Sequence, residues 1–188
     1  MVKKLLYPLY LIIVLMSIYL TVFELILHTF HAPFNTTIKE PITQNLTWIY
    51  LLKQHYVTFI DSDLFNIHEK RHLLDVKKVF ESTYRLWILS LILSFLVFIP
   101  LIIHNKLKIF SIYLYRTGLT LNILFLILSL KFLNIFTYFH TLLFSKNTWS
   151  FPKDSLLIEW FPLCYFQEFF VLFLVLSFLG FLYMKYRK

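Results

Sequence analysis

Residues 66–103 read NIHEKRHLLDVKKVFESTYRLWILSLILSFLVFIPLII, and the two halves of this stretch differ in kind. Leu86–Ile103 is 18 residues without a charge. At 1.5 Å per residue, such a run is close to the roughly 30 Å of a bilayer's hydrocarbon core. Residues 66–85 cannot cross, because they carry charges throughout. Wound at about 100° per residue with His72 at zero, they bring Val79, Val76, Glu69, Phe80 and Leu73 within about 100° of it. Lys70, Arg71, Lys77, Lys78, Glu81 and Arg85 gather opposite. The stretch predicts an amphipathic helix at the membrane surface leading into a transmembrane helix.

The rest of the chain has the same character. Of its 188 residues, 59% are hydrophobic and only 15% charged, too few charges to cover a water-soluble domain. Disorder is excluded by the same figures. Three more apolar runs stand out: Leu5–Phe23, Ile109–Leu130 broken only by Arg116, and Phe169–Met184. The fold class expected is an all-α integral membrane protein with four transmembrane helices and an outer interfacial amphipathic helix before the second. The spans fall at about 5–27, 86–103, 109–135 and 167–184 of one membrane domain, 1–188, with outer loops 28–85 and 137–166. One alanine and two glycines leave little scope for repeated small-residue crossings, so the helices must pack through large side chains and a few polar contacts.

The first span follows Lys3 and Lys4 like a signal peptide, but the run is too long and no A-x-A site follows it, so it reads as an anchor. Lys3, Lys4, Lys106, Lys108, Lys185, Arg187 and Lys188 flank the spans on one side, with no acidic residue among them. The positive-inside rule puts both termini and the 104–108 turn in the cytoplasm. The formal charge of +8 is then a topology signal, not a nucleic-acid face. His28, His31, His55, His68, His72 and His140 fall on the outer side, with Trp48, Trp87, Trp149 and Trp160. That one-sided set of tryptophans reads either as outer loops lying on the membrane or as a consequence of short inner turns. The sequons at Asn35 and Asn45 read as accidental.

His72 and Glu69 sit on the apolar face of the surface helix, where polar groups need partners. His140 emerges beyond the third span, and Glu24 and Glu168 close the first and fourth. Histidines and carboxylates gathered at one membrane level make a site candidate. Three chemistries fit these residues. His68-Glu69-Lys70-Arg71-His72 spells H-E-x-x-H, the spacing of a helical zinc site, yet Lys70 and Arg71 would place two cations beside the metal. Cys164 lies near the outer end of the fourth span, but the sequence gives it neither base nor access, and it reads as a buried apolar cysteine. Metal-free proton transfer by His72 and His140 is the third.

Glu69-x-x-His72-x-x-Asp75-Val76-Lys77, the third span's close in Phe139-His140-x-x-x-Phe144, then Trp149-x-Phe151-x-x-Asp154-x-Leu156-x-Ile158 and Pro162-x-x-x-Phe166 resemble the bacterial lipoprotein intramolecular transacylases, the Lit family. The likeness runs from about residue 66 to the end. It implies an intramolecular acyltransferase that moves the sn-2 acyl chain of an S-diacylglyceryl cysteine onto that cysteine's α-amino group, leaving a lyso-form lipoprotein. It implies His72 and His140 as the catalytic pair, with Glu69, Asp75, Asp154, Trp149 and Phe151 supporting them or binding substrate. It implies no cofactor and no metal. The partners that the resemblance implies are a diacylated lipoprotein and the phospholipid bilayer of a bacterial cell membrane, with the chain a multi-pass monomer and its site on the outer leaflet. Two other readings stand beside it: an H-E-x-x-H zinc membrane metalloprotease, and a non-enzymatic four-span subunit whose outer loops bind a partner.

Overall fold

The computed structural model describes residues 2–34, 40–52, 64–145 and 148–186. His55, Asn35, Lys39, Lys53, Lys146 and the terminal Arg187 and Lys188 lie outside them. Among the described residues there are helices and no strands: α1 (Val2–Thr29), α2 (Pro41–Leu52), α3 (Ile67–Ile103), α4 (Leu107–Ser129), α5 (Phe132–Leu143), α6 (Leu156–Trp160) and α7 (Leu163–Tyr186). Four stretches are long and apolar enough to cross a membrane: Tyr7–Thr29, Ile67–Ile103, Leu107–Ser129 and Leu156–Lys185. In α3 the charge-free part is 86–103, and the charged residues 67–85 precede it in one unbroken helix.

The chain forms two compact units. The first comprises residues 1–26, 83–130 and 171–188, taken from α1, α3, α4 and α7. Val14, Leu15, Val97, Leu101, Phe110, Leu114 and Phe181 make its core. Large residues dominate, and the one close approach uses Gly118, where an added Cβ would fall 2.6 Å from the Phe181 ring. A small polar network ties the helices. Tyr19 donates to the Gly118 carbonyl at 3.2 Å and to Asn122 Oδ1 at 3.3 Å, and the buried Ser177 donates to the same Oδ1 at 3.0 Å. Trp87 donates to Thr21 at 3.0 Å. Such contacts do the work that small-residue crossings do elsewhere.

The turn from α3 to α4 is closed by Asn105 at φ 52°. Lys106 N–H bonds the Leu101 carbonyl at 2.8 Å and Asn105 N–H bonds that of Ile102 at 3.0 Å, the paired bonds of a Schellman cap. Asparagine tolerates this left-handed conformation better than most residues.

The helix carrying the third span ends at Ser129, and 132–143 is a separate helix. Lys131 breaks the run. It is the one charged residue between Arg116 and Lys146, and it adopts a non-helical conformation, φ −118° and ψ 42°. A straight continuation would carry its ammonium group along an otherwise lipid-compatible helix.

The second unit comprises residues 27–82 and 131–170. Its core is aromatic: Phe30, Trp48, Tyr50, Phe65, Trp160 and Tyr165 are buried. Trp48 and Trp160 are therefore core residues and not part of an interfacial belt. α2, in the loop that the sequence left unread, starts with Pro41 at its first position, where the missing N–H costs nothing. It buries Thr43, Gln44, Thr47, Trp48 and Leu51, a helical repeat.

Candidate functional site

The amino end of α3 is held by a reciprocal cap. Asn66 Oδ1 accepts the N–H groups of His68 at 2.9 Å and Glu69 at 3.0 Å, and Glu69 Oε2 accepts the Asn66 N–H at 2.9 Å. This satisfies helix-end donors that would otherwise lack partners. Glu69 is 4% exposed, and its Oε1 accepts the Ser155 hydroxyl at 2.5 Å. The partner that the sequence reading demanded for this buried carboxyl is thus its own helix end and a serine from the loop before α6. A hollow of about 370 Å³ lies alongside, lined by Leu64, Phe65, Asn66, Glu69, Pro152, Asp154, Ser155 and Leu156.

The buried stripe of α3 in this unit is Glu69, Leu73 and Lys77, with His72, Val76 and Phe80 half-buried beside it. The packed face is therefore rotated from the expected one toward Lys77. That lysine was expected on the outward basic face, yet it is 7% exposed, with Nζ 4.3 Å from the centroid of the Tyr50 ring. α2 supplies the reason: an apolar stem and a ring face bury the side chain while the cation keeps a favourable partner.

His72 stands at the other edge of the stripe. Its ring meets Phe144 at 4.8 Å and Phe151 at 5.3 Å between centroids. Nδ1 is buried with no hydrogen-bond partner among the described residues. Burial pushes this histidine down to about 4; the charge of His140 adds to the shift and that of Asp75 opposes it.

His140 projects from α5 into a cage of rings. Phe136 lies 3.9 Å away between centroids, Trp149 5.3 Å, Phe144 5.5 Å and Phe166 6.2 Å. Its Nδ1 lies 2.9 Å from the Phe136 carbonyl. A carbonyl only accepts, so Nδ1 carries the proton and neutral His140 offers Nε2 as a base. Burial lowers its pKa, with the Phe136 bond opposing. Phe144 is the ring common to both histidines.

The structure brings together His72, His140, Trp149 and Phe151 of the residues expected from sequence. Asp75 lies one turn along from His72 and pairs with Lys78 at 3.2 Å. Asp154 is exposed on the rim of the hollow, beside Ser155. Glu168 is occupied elsewhere, accepting the Phe34 N–H at 2.7 Å. Cys164 is exposed, contrary to the expectation of a buried thiol, because Tyr165 takes the packed side of that turn. His68 is exposed, so the two histidines of H-E-x-x-H differ in environment, and the intervening glutamate is engaged by Asn66 and Ser155.

Phe144 and Ser155 are the contributors that the sequence reading left out of the site. His31 and Trp48 of the same unit stack at 4.7 Å, with the indole donating to the His31 carbonyl at 2.9 Å. Asn66-x-x-Glu69 was a legible capping signature; nothing local marked Ser155.

Comparison with known proteins agrees with this architecture. The family model for lipoprotein intramolecular transacylase Lit matches residues 5–170, so the likeness extends through the first span and the 28–65 region as well. The fold is similar to a solved structure of the membrane-integral lipoprotein intramolecular transacylase Lit from Bacillus cereus. The TM-score is 0.83 at 16% identity, over 98% of this chain and 93% of that one. A structure of the same Bacillus cereus protein with a histidine-to-arginine mutation gives 0.68 at 17% identity, over 97% and 90%. Comparison with curated proteins gives no match. With most of its length matched by the family model, the chain belongs to the lipoprotein intramolecular transacylase Lit family of membrane acyltransferases.

Proposed function

We propose that this transacylase moves the sn-2 acyl chain of an S-diacylglyceryl cysteine onto the α-amino nitrogen of that same cysteine. The reaction runs at the outer leaflet, on a monomer with both termini in the cytoplasm. Nucleophile and ester belong to one molecule, so no acyl-enzyme is needed. The protein's task is to hold amine against carbonyl and to manage protons, a proximity effect.

The observation that carries the reading is the pair of neutral, half-buried histidines about Phe144, with His140 fixed as the Nδ1–H tautomer. The amine nitrogen attacks the sn-2 carbonyl carbon while His140 Nε2 takes the proton that the nitrogen sheds. His72 donates from its ring to the oxygen on which charge develops. The tetrahedral centre then collapses. The carbon–oxygen bond to glycerol breaks, and the sn-2 oxygen takes the proton held on His140 Nε2 and leaves as a free hydroxyl, which returns His140 to its neutral form. Phe151 and Trp149, each against one histidine, form the walls. Glu69 and Ser155 position the loop that carries those walls.

Support for the outer-leaflet placement comes from the basic residues flanking the spans and from the lipoprotein substrate of the family. The test is co-expression with a diacylated lipoprotein, followed by mass spectrometry of its N-terminal lipopeptide. The expected product is an N-acyl, S-monoacylglyceryl cysteine of unchanged total mass. An N-terminus that keeps both chains on glycerol overturns the assignment.

A further inference from the structure

The hollow beside Glu69 takes no part in the proton transfers, yet its position ties it to the reacting centre. It lies in the second unit, as both histidines do. Glu69 lines it from α3, one helical turn before His72, and residues three apart on a helix have Cβ atoms about 5–6 Å apart. Pro152 lines it from the loop, directly after Phe151, whose ring packs on His72 at 5.3 Å between centroids. The hollow and the histidine site thus share a helix and a loop.

Their linings differ. Around the histidines the walls are rings. In the hollow Leu64, Pro152 and Leu156 stand among Asn66, Asp154 and Ser155, so the surface is part apolar and part hydrogen-bonding. Its volume of about 370 Å³ falls within the range of sites that enclose ligands, about 300–1,000 Å³. Two carboxyl side chains line it and no cation does, with Glu69 at the buried end and Asp154 on the exposed rim. Asp154 has no ion pair among the described residues, and Lys153, though exposed beside it in sequence, is not part of the lining.

The substrate of the reaction proposed above has three parts: the acyl chains, the ester with its neighbouring amine, and the polypeptide that continues from the lipidated cysteine. The histidines take the ester and the amine, and rings suit the chains. The polypeptide brings amides and mixed side chains, which call for a mixed lining close to the reacting centre.

We propose that the hollow receives the first residues of the lipoprotein polypeptide after the lipidated cysteine, and that Asp154 makes it favour a basic residue there over an acidic one. The proposal rests on the transacylase reading. A carboxylate brought against Asp154 meets a like charge that no lining cation offsets, whereas an ammonium group meets a counter-ion. Selection therefore works by repulsion as well as attraction. Because Asp154 is on the rim, water and salt keep the effect modest.

The test uses diacylated lipopeptides that differ only in the residue after the cysteine: lysine, serine or aspartate. For the parent, kcat/KM is expected to be about fivefold higher with lysine than with aspartate, the difference lying in KM. Asp154→Asn is expected to bring that ratio below about twofold, and Asp154→Lys to invert it. A merely structural role would slow all three peptides alike. A ratio near one in the parent, or one left unchanged by Asp154→Asn, overturns the selectivity. A second arm reads binding without turnover: a lipopeptide carrying a benzophenone side chain after the cysteine is photolysed with the protein, and the crosslinks are located by mass spectrometry. They are expected at residues 64–66 or 152–156. Crosslinks confined to other positions, or none, overturn the hollow as the peptide site. A parent protein that crosslinks there but transfers no acyl chain overturns the transacylase reading and leaves the hollow as a lipopeptide site.

Discussion

Ser155 donates a 2.5 Å hydrogen bond to Glu69 across 86 residues of sequence, joining the loop before α6 to the capped end of α3. Through this bond the loop that carries Trp149 and Phe151 is tied to the helix that carries His72. Glu69→Ala removes the capping acceptor and leaves a buried hydroxyl unpaired, together costing about 2–4 kcal/mol. The thermal midpoint should fall and kcat with it. Glu69→Gln keeps an acceptor for the Asn66 N–H and a partner for Ser155, so it should retain most of both. A Glu69→Gln protein that folds like the parent but is as inactive as His72→Ala would give Glu69 a chemical role instead of a positioning one.

The two histidines should be individually indispensable. His72→Ala and His140→Ala each remove one partner in proton transfer, typically worth about 10²–10⁴-fold in rate. Because they act on one tetrahedral centre, the double variant should be little worse than either single one. Turnover from the lipopeptide, at equal membrane-inserted protein, measures this. Near-parent turnover in either single variant would exclude the two-histidine mechanism.

How much of this was legible beforehand differs by level. The four crossing helices were plain, because lipid demands a charge-free run of about 20 residues and that demand is written in one dimension. His72 and His140 were legible as polar residues in apolar company. Lys77 was misplaced because its partner, Tyr50, comes from α2, a helix whose repeat of Thr43, Thr47, Trp48 and Leu51 went unread. The break at Lys131 was hidden by apolar residues on both sides. Ser155 could not be found at all, since its importance arises from a contact that no local pattern encodes.

Acid should weaken the fold in a defined window. Burial holds the His72 pKa at about 4 in the folded protein, below the unfolded value of about 6.5. The unfolded chain therefore binds more protons between these values, and stability falls as pH drops through that window, being fully present above it. His140, shifted in the same direction, adds to the effect. Thermal midpoints measured from pH 7.5 to 4.5 should decline for the parent. They should decline less for His72→Phe, which fills the same aromatic surroundings without titrating. A parent midpoint that rises on acidification would contradict a buried neutral pair.

The H-E-x-x-H segment makes a separate demand. His68 is exposed, and both oxygens of Glu69 are engaged by Asn66 and Ser155. Lys70 and Arg71 add two positive charges within the segment. Chelators should leave transfer unchanged, and His68→Ala should cost less than about threefold while His72→Ala is severe. Equal, severe losses from both, restored by zinc, would revive the metalloprotease.

The outer-leaflet placement proposed for the site is open to a direct topology test. The loop between the first two spans holds Lys39, Lys53, Lys70, Arg71, Lys77, Lys78 and Arg85, which taken alone would suggest the cytoplasm. Its length, close to sixty residues, is where the positive-inside rule loses force, whereas the short basic segments all agree with one another. Labelling positions follow from the structure. Asn105 is a poor choice because its φ of 52° would strain a cysteine, and Asn66 is needed as a cap. His104 and Lys153 are exposed and free of both constraints. Cys164, being exposed, must first be replaced by serine. In intact cells a membrane-impermeant maleimide should then modify Lys153→Cys, and His104→Cys only after lysis. The reverse pattern would put His72 and His140 on the cytoplasmic side, where the proposed substrate does not mature, and the outer-leaflet mechanism would have to be abandoned.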